Sequence, residues 1–520
     1  MKKLPIGKQT FRDLINENNL YVDKTEDIYN LLNDNAKYFF LSRPRRFGKS
    51  LLISTLEEIF SGNQELFKGL YIYDKIEWKK YPVIKIDFAK MDLSSLEKLV
   101  ESLNYSLNSI AESYKVLIDN TLNYKLKFIS LIKELGKFEK VVILIDEYDK
   151  PIIDHINNLE VIKEMRDILK NFYVTIKASD EFIKFAFLTG VSKFSKVSIF
   201  SDLNNLRDIT LEEKFATILG YTQEELESYF RDHIKETAKE LNVEENYLKE
   251  SLKTWYNGYS WDGKNFVYNP FSILNVLTTH DINNYWFQSG TPTFLIKLIK
   301  EKNIDIKSLE NYEADFDSFS EYDIENINVI SLLFQAGYLT IKKINRDSLG
   351  FKTCNLEFPN LEVKESFLKN ILMNFSESFE NNIVIVKHLS IALIKNNLEE
   401  FFKILKDIFS HIPNEIFMAD KERYYHTIIY LILTLIGVRI KAEVSTNIGR
   451  VDAVIETQSH IYIFEFKMSS SKKVIKQIED KKYYESYLLS NKEIFLVGVS
   501  FDPKERNIKD WKIEILIKNK

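Results

Sequence analysis

Two sets of residues in this 520-residue chain have the types and spacing for chemistry on phosphates. The first is Gly48-Lys49-Ser50, which closes the run 41–50. A glycine lets backbone N–H groups approach phosphate oxygens, a lysine reaches the outer two phosphates, and a serine hydroxyl binds Mg²⁺. Arg43 stands where the usual loop has its first glycine, so only the second half of that pattern is present. Further on, the apolar run 141–145 ends in Asp146 and Glu147. An Asp there holds the Mg²⁺ shell, and a following Glu polarises the attacking water. Two adjacent carboxylates at a strand end are electrostatically costly without a cation. The nucleotide-binding candidates are Arg45, Arg46, Gly48, Lys49, Ser50 and Leu51. Ser50 and Asp146 are assigned to the metal, and Glu147 to catalysis. Thr189, at the end of the apolar run 185–189, is a candidate for the γ-phosphate and equally for a hydroxyl that caps the next turn. Arg207 is a candidate arginine finger, ranked behind a plain surface ion pair.

The second set lies near the C-terminus. Asp452 opens the apolar run 453–455, and Glu465 and Lys467 sit two apart in the run 461–467. Residues two apart on a strand share a face, so Glu465 and Lys467 point one way while Phe464 and Phe466 pack the other. Asp452 and Glu465 holding Mg²⁺, with Lys467 positioning or activating a water, form a phosphodiester-hydrolysing arrangement. The lysine places a second positive charge near the developing oxyanion. The plainer alternative is a half-buried salt bridge from Lys467 to Glu465 or Asp452. Lys472, Lys473, Lys476, Lys481 and Lys482 lie on or beside one predicted helix. Phosphate contact and a solvated helix face are equally open readings of them.

These residues need elements to hold them. Residues 37–41, 82–88, 141–145 and 185–189 read as buried strands, and 51–60 as a helix with Leu52, Leu56, Ile59 and Phe60 on one face. Strand and helix in alternation predict a parallel sheet covered on both sides. From about 211 to 400 helical patterns dominate: 212–219, 223–241, 294–300 and 361–375. The aromatic pieces 255–259 and 267–270 interrupt them, and 332–341 reads as a helix running into a strand. A helical lid and a small winged-helix-like connector are expected there. After about 400, runs 453–455, 461–466 and 494–499 read as strands and 472–489 as a helix. The predicted domains are 1–210, 211–400 and 401–520.

With these motifs the chain resembles a family of bacterial and archaeal proteins known as AAA-ATPase-like, with a C-terminal PD-(D/E)XK nuclease-like domain. The likeness covers most of the chain. Tyr21-Val22-Asp23-Lys24-Thr25, Arg43-Pro44-Arg45-Arg46-Phe47-Gly48-Lys49-Ser50, Asp146-Glu147-Tyr148-Asp149, Leu188-Thr189-Gly190-Val191-Ser192-Lys193 and Trp255-Tyr256-Asn257-Gly258-Tyr259 carry it. It extends to Glu443, Gly449-Arg450-Val451-Asp452, Glu465-Phe466-Lys467 and Gln477-Ile478. The loop form with Arg43 looks typical of that family. The resemblance implies a further metal ligand at Glu443 and a site role for Gln477, with Tyr484 seven residues later on the same helical face. Val451 replaces the nominal proline and affects no ligand. The fold implied is α/β: a P-loop NTPase parallel sheet, a helical and winged-helix-like middle, and a restriction-endonuclease-like core.

Composition bounds the rest. A chain 45% hydrophobic, 28% charged and 13% aromatic is an ordinary globular one, neither disordered nor collagen-like. The net charge of -5 excludes a uniformly basic nucleic-acid coat but not a local basic face. The one cysteine, Cys354, allows neither an intramolecular disulfide nor a cysteine zinc site. The start is polar and mixed, and the most apolar run, 427–438, is too short to span a bilayer, so a cytoplasmic protein is expected. ATP and Mg²⁺ are the expected cofactors. Nucleic acid is the expected partner, DNA ahead of RNA, with no membrane and with a homo-oligomer left open. The expected function is a Mg-dependent ATPase coupled to a nuclease-like domain that cleaves phosphodiester bonds. The alternative is an ATP-gated nucleic-acid-binding or signalling protein whose nuclease-like domain recognises without cutting.

Overall fold

The computed structural model describes residues 1–193, 205–286, 306–316, 328–375, 382–410, 421–436, 439–442, 452–468, 470–502, 504–505 and 507–516, with a few single positions between 295 and 304. The chain divides into two compact units, residues 1–299 with 309–364, and residues 300–308 with 365–520.

In the first unit β1 (Tyr38–Ser42), β2 (Val83–Asp87), β3 (Val141–Asp146), β4 (Ile183–Gly190) and β5 (Arg207–Asp208) form one parallel sheet in the order β2-β3-β4-β1-β5. All residues of β1 and β3 are buried, as strands covered on both faces must be. Alternate residues serve opposite faces. Phe39, Leu41, Val142, Leu144, Phe185 and Phe187 pack with Leu52, Ile53 and Leu56 of helix Lys49–Phe60. Helices Leu96–Ser113, Tyr124–Gly136 and Leu159–Ala178 pack on one another and cover the other face, with Phe128 and Phe172 stacked at 4.5 Å. All parallel strands end on the same edge, so the turns after β1 and β3 meet there, where open α/β sheets bind ligands.

The middle region follows expectation in part. Residues 212–219 form only a short 3₁₀ turn, Glu213–Phe215, not a helix. The pattern 223–241 is two helices, Gln223–Tyr229 and Arg231–Glu240, broken at Phe230, whose ring is wholly buried. Most of the expected helix 294–300 lies outside the described residues. Helix Leu361–Phe375 has the expected bounds. Helix Val329–Ala336 stops at Gly337 with φ +89° and feeds the strand expected there. The antiparallel sheet that follows has β6 (Tyr312–Asp315), β7 (Thr340–Arg346) and β8 (Lys352–Glu357) in the order β6-β8-β7.

The second unit holds β9 (Arg439–Ala442), β10 (Ala453–Glu456), β11 (His460–Lys467), β12 (Glu493–Asp502) and β13 (Asn507–Leu516) in the order β13-β12-β11-β10-β9. Only the β11–β12 pair is parallel. Its crossover is helix Ser471–Asp480, as a parallel connection requires. The expected helix 472–489 is therefore shorter. The chain turns at Lys482, φ +49°, which lets Tyr483 enter the core, and Tyr484 does not continue the helical face. Residues 427–435 of the apolar run lie in helix Lys421–Leu435, where Ile428, Leu431 and Ile432 are buried, and 437–438 lie outside the described residues. Among the described residues no helix is long and apolar enough to cross a membrane.

Candidate functional site

β1 runs into residues 43–48 and then into helix Lys49–Phe60, which places the loop at a helix N-terminus, where free N–H groups favour anions. Gly48 takes φ +93°, a conformation that glycine adopts without strain. Lys49 is buried, and its ammonium donates to the carbonyls of Arg43 and Pro44, each at 3.0 Å. Burial pulls its pKa down, while Asp146, Glu147 and Asp149 oppose that fall by attraction. The Ser50 hydroxyl lies beside the Asp146 carboxyl, whose pKa is raised by burial and held back by Ser50 and Lys49. The Glu147 N–H also donates to Asp146 Oδ1 at 3.0 Å. Glu147 itself sits at φ +51°, and burial raises its pKa. Lysine, serine and both acids thus form one cluster, drawn from a loop and a strand about ninety residues apart.

The buried Arg43 is a structural member of the loop. Its guanidinium donates to the carbonyls of Ser42 and Thr210 at 2.9 Å and of Phe215 at 3.2 Å. It also lies 3.8 Å from the centre of the Trp261 ring. Phe47 packs edge-on against Tyr259 and Trp261, at 4.8 and 5.5 Å. A distant aromatic segment therefore shapes the loop. Thr189 is buried and donates to the Leu41 carbonyl at 2.8 Å, and its own carbonyl accepts the Tyr148 N–H at 3.0 Å. Arg207 is ion-paired with Glu212, at 3.0 and 2.8 Å, and with Asp34. Asp149, given no role from sequence, is buried and accepts the N–H groups of Val191 and Ser192, at 3.1 and 2.6 Å, which ties the ends of β3 and β4 together.

A cavity of about 460 Å³ opens beside the loop, lined by residues 45–52 and Glu147 on one side. Its other walls come from Tyr21, Val22, Leu219, Tyr221, Phe271 and Leu274. That volume and mixed lining are in the range of small-molecule sites. The exposed Arg46 holds its guanidinium 3.7 Å over the Phe271 ring, and the Arg45 carbonyl accepts the Trp286 indole N–H at 3.1 Å. Lys24 fixes the N-terminal wall through Glu225, at 2.6 Å, and the Thr217 carbonyl, at 2.9 Å. Glu362 supports the far wall. It is buried and accepts the N–H groups of Tyr285 and Trp286 and the Ser272 hydroxyl, at 2.6, 2.8 and 2.8 Å. Burial pushes its pKa up to about 7. These wall residues carry no local spacing signal. Of the wall residues, only Tyr21, Val22 and Lys24 belong to a motif that marks the family resemblance.

The second set is assembled on β11. Glu465 is 1% exposed, and Lys467 reaches its Oε1 at 3.5 Å from a partly exposed position. Gln477, on the crossover helix, donates to the same oxygen at 2.5 Å. Asp452 accepts the Phe466 N–H at 2.8 Å, which places it across from the Glu465 strand. Phe464 and Phe466 stack on the opposite face, 5.8 Å apart. The Glu465 pKa is pushed up to about 7, by burial first and then by repulsion from Asp452, with Lys467 opposing. Glu465 Oε2 is buried and has no hydrogen-bond partner. A buried orphan carboxylate oxygen facing a second carboxylate fits a hard divalent cation. Glu443, with 449–451, lies outside the described residues, and among the described residues no group of three or more His, Cys, Asp or Glu side chains converges.

Each of the two sets falls within a region that matches a known family. A family model described as predicted AAA-ATPase matches residues 5–200, and one described as PD-(D/E)XK nuclease superfamily matches residues 420–511. A protein of Azotobacter chroococcum mcd 1, described as an uncharacterized protein in the vnfD 5' region, is 36% identical over 527 residues, which cover 99% of this chain and 99% of that one.

Proposed function

The chain belongs to the AAA-ATPase-like family and joins that ATPase-like part to a C-terminal domain of the PD-(D/E)XK nuclease superfamily; from that premise we propose that it binds and hydrolyses ATP with Mg²⁺ and cleaves nucleic-acid phosphodiester bonds. The observation that carries the first half is that Lys49 and Ser50 of the loop lie beside the Asp146 carboxyl, with Glu147 also in the field of Lys49. Lys49 leaves its two loop carbonyls to hold the triphosphate. Ser50 and Asp146 would hold the Mg²⁺, which shields phosphate charge when bound. Glu147 orients and deprotonates the attacking water, and its raised pKa suits it to take that proton. Phe271, Tyr21 and Tyr221 exclude water from the base.

In the second half, Asp452 and Glu465 would hold a divalent ion, which supplies an activated water when bound. Lys467 stabilises charge on the phosphate, and Gln477 fixes Glu465 in place. DNA is the preferred substrate of the reading, and the nucleotide cycle controls the cutting.

The test is a matrix of ATP and divalent metal against single-stranded DNA, duplex DNA and RNA. Lys49→Ala should lose nucleotide binding or turnover, and normal hydrolysis by it refutes the loop assignment. Glu465→Ala should lose cleavage and keep ATP hydrolysis. Wild type that binds nucleic acid tightly and cuts none of the three substrates would leave the nuclease-like domain a recognition module.

A further inference from the structure

The β7–β8 hairpin ends in a tip that the folding of its own unit does not explain. Leu349 is 81% exposed and Phe351 is 69% exposed. The turn that carries them is built. Asp347 Oδ1 accepts the N–H groups of Leu349 and Phe351, both at 2.9 Å, and Gly350 takes φ +90°. Directly behind the tip, Arg346 and Lys352 are opposite partners in the antiparallel ladder. Like charges placed opposite each other destabilise a hairpin. Arg346 makes no ion pair among the described residues, and Lys352 lies 5.1 Å from the Phe316 ring rather than against an acid. Among the described residues the acids of the neighbouring strand stop one rung short, with Asp315 paired in register with Thr353 and Glu313 accepting the Thr353 hydroxyl at 3.0 Å. Two facing cations and two solvent-exposed apolar side chains on a rigid turn are complementary to one class of ligand: phosphates for the cations, and bases for the wedge.

We propose that the hairpin tip is a nucleic-acid contact, in which Arg346 and Lys352 hold backbone phosphates of a duplex and Leu349 and Phe351 wedge against its bases. It rests on the reading that this chain acts on nucleic acid. The base of the hairpin packs beside the phosphate loop. The Thr340 hydroxyl at the start of β7 accepts the Ser260 N–H at 2.7 Å and donates to the Ser260 carbonyl at 3.0 Å. The neighbours of Ser260, Tyr259 and Trp261, are the rings that pack on Phe47 and Arg43. Gly337, just before the strand, lies so close to Pro44 that a Cβ there would fall 2.7 Å from its ring. The strand that leads to the tip therefore starts beside the turn assigned to the triphosphate.

The experiment uses the full chain with a fluorescent duplex DNA in EDTA, where metal-dependent cutting is suppressed, titrated across salt. Arg346→Ala with Lys352→Ala should weaken binding at least tenfold at low salt and reduce the slope of log affinity against log salt by about 2. Leu349→Ser with Phe351→Ser should weaken binding about tenfold and leave that slope unchanged. Both pairs are exposed or half-buried away from the nucleotide cavity, and unchanged ATP binding by each shows that the fold is intact. Wild-type affinity and slope in both variants, beside a wild type that cuts, overturn the tip assignment alone. Variants that bind duplex normally but change the sedimenting size of the chain make the tip a protein contact and overturn it too. A wild type that neither binds nor cuts any nucleic acid brings down the functional reading first.

Discussion

Arg43 shows how a single side chain can look like a defect in a motif and be a structural part of it. Its buried guanidinium saturates three carbonyls and faces Trp261. Burial lowers its pKa to about 9, which still leaves it charged at neutral pH. Arg43→Gly, which restores the commoner glycine, should cost about 3 kcal/mol or more, because carbonyls bonded to a charged donor are left buried and unpaired. Denaturant unfolding beside nucleotide titration checks this, and equal stability with tighter nucleotide binding would contradict it. Glu362 gives a pH signature. Its carboxyl sits at about 7 against an ordinary 4.5. A raised folded-state pKa means that the stabilisation is complete below pH 4.5 and is lost as pH climbs through 7. Wild type should lose about 3 kcal/mol of unfolding free energy across that window that Glu362→Gln does not lose. Parallel pH profiles for the two proteins that superimpose would rule this out.

The elements were legible where a period is short and local. β3 and β11 announce themselves by a buried run that ends in acids and by two-residue alternation, and both lie close to where those patterns place them. What the pattern could not foresee are breaks made by distant packing. Phe230 ends one helix by turning into a core with Leu248 and Leu252, and Tyr483 ends another by joining Ile461 and Ile494. The walls of the cavity were illegible for the same reason, since Tyr21, Tyr221 and Phe271 meet only after the chain folds. The contact of Gln477 with Glu465 depends on how closely the crossover helix rides on its sheet. Gly498 pairs with Glu465 in the ladder, and a Cβ on it would fall 2.9 Å from the Ser471 carbonyl and 3.1 Å from the Ile475 amide nitrogen. Gly498→Ala should push the helix outward, cost about 1–3 kcal/mol and reduce cleavage. Wild-type stability and cleavage in this variant would show that the spacing is not critical.

In the molecule as a whole, two compact units carry the two candidate chemistries separately. A ligand that binds only the folded form stabilises what it binds, by about 2.7 kcal/mol at a hundredfold excess over Kd. Mg–ATP should therefore raise one unfolding transition in calorimetry and leave the other in place, and Lys49→Ala should abolish the rise. A uniform shift of every transition would mean that the units unfold as one.

The alternation along β11 constrains how the gene can drift. Glu465 and Lys467 face one way only because each is an even step from the other, with Phe464 and Phe466 stacked behind. Deleting one codon within this strand would invert it, sending aromatic rings toward the carboxylate of Asp452 and charges into the packed interior. Exchange of a side chain can therefore silence this chemistry and keep the sheet, whereas a change of length keeps both only in a bend such as residues 457–459.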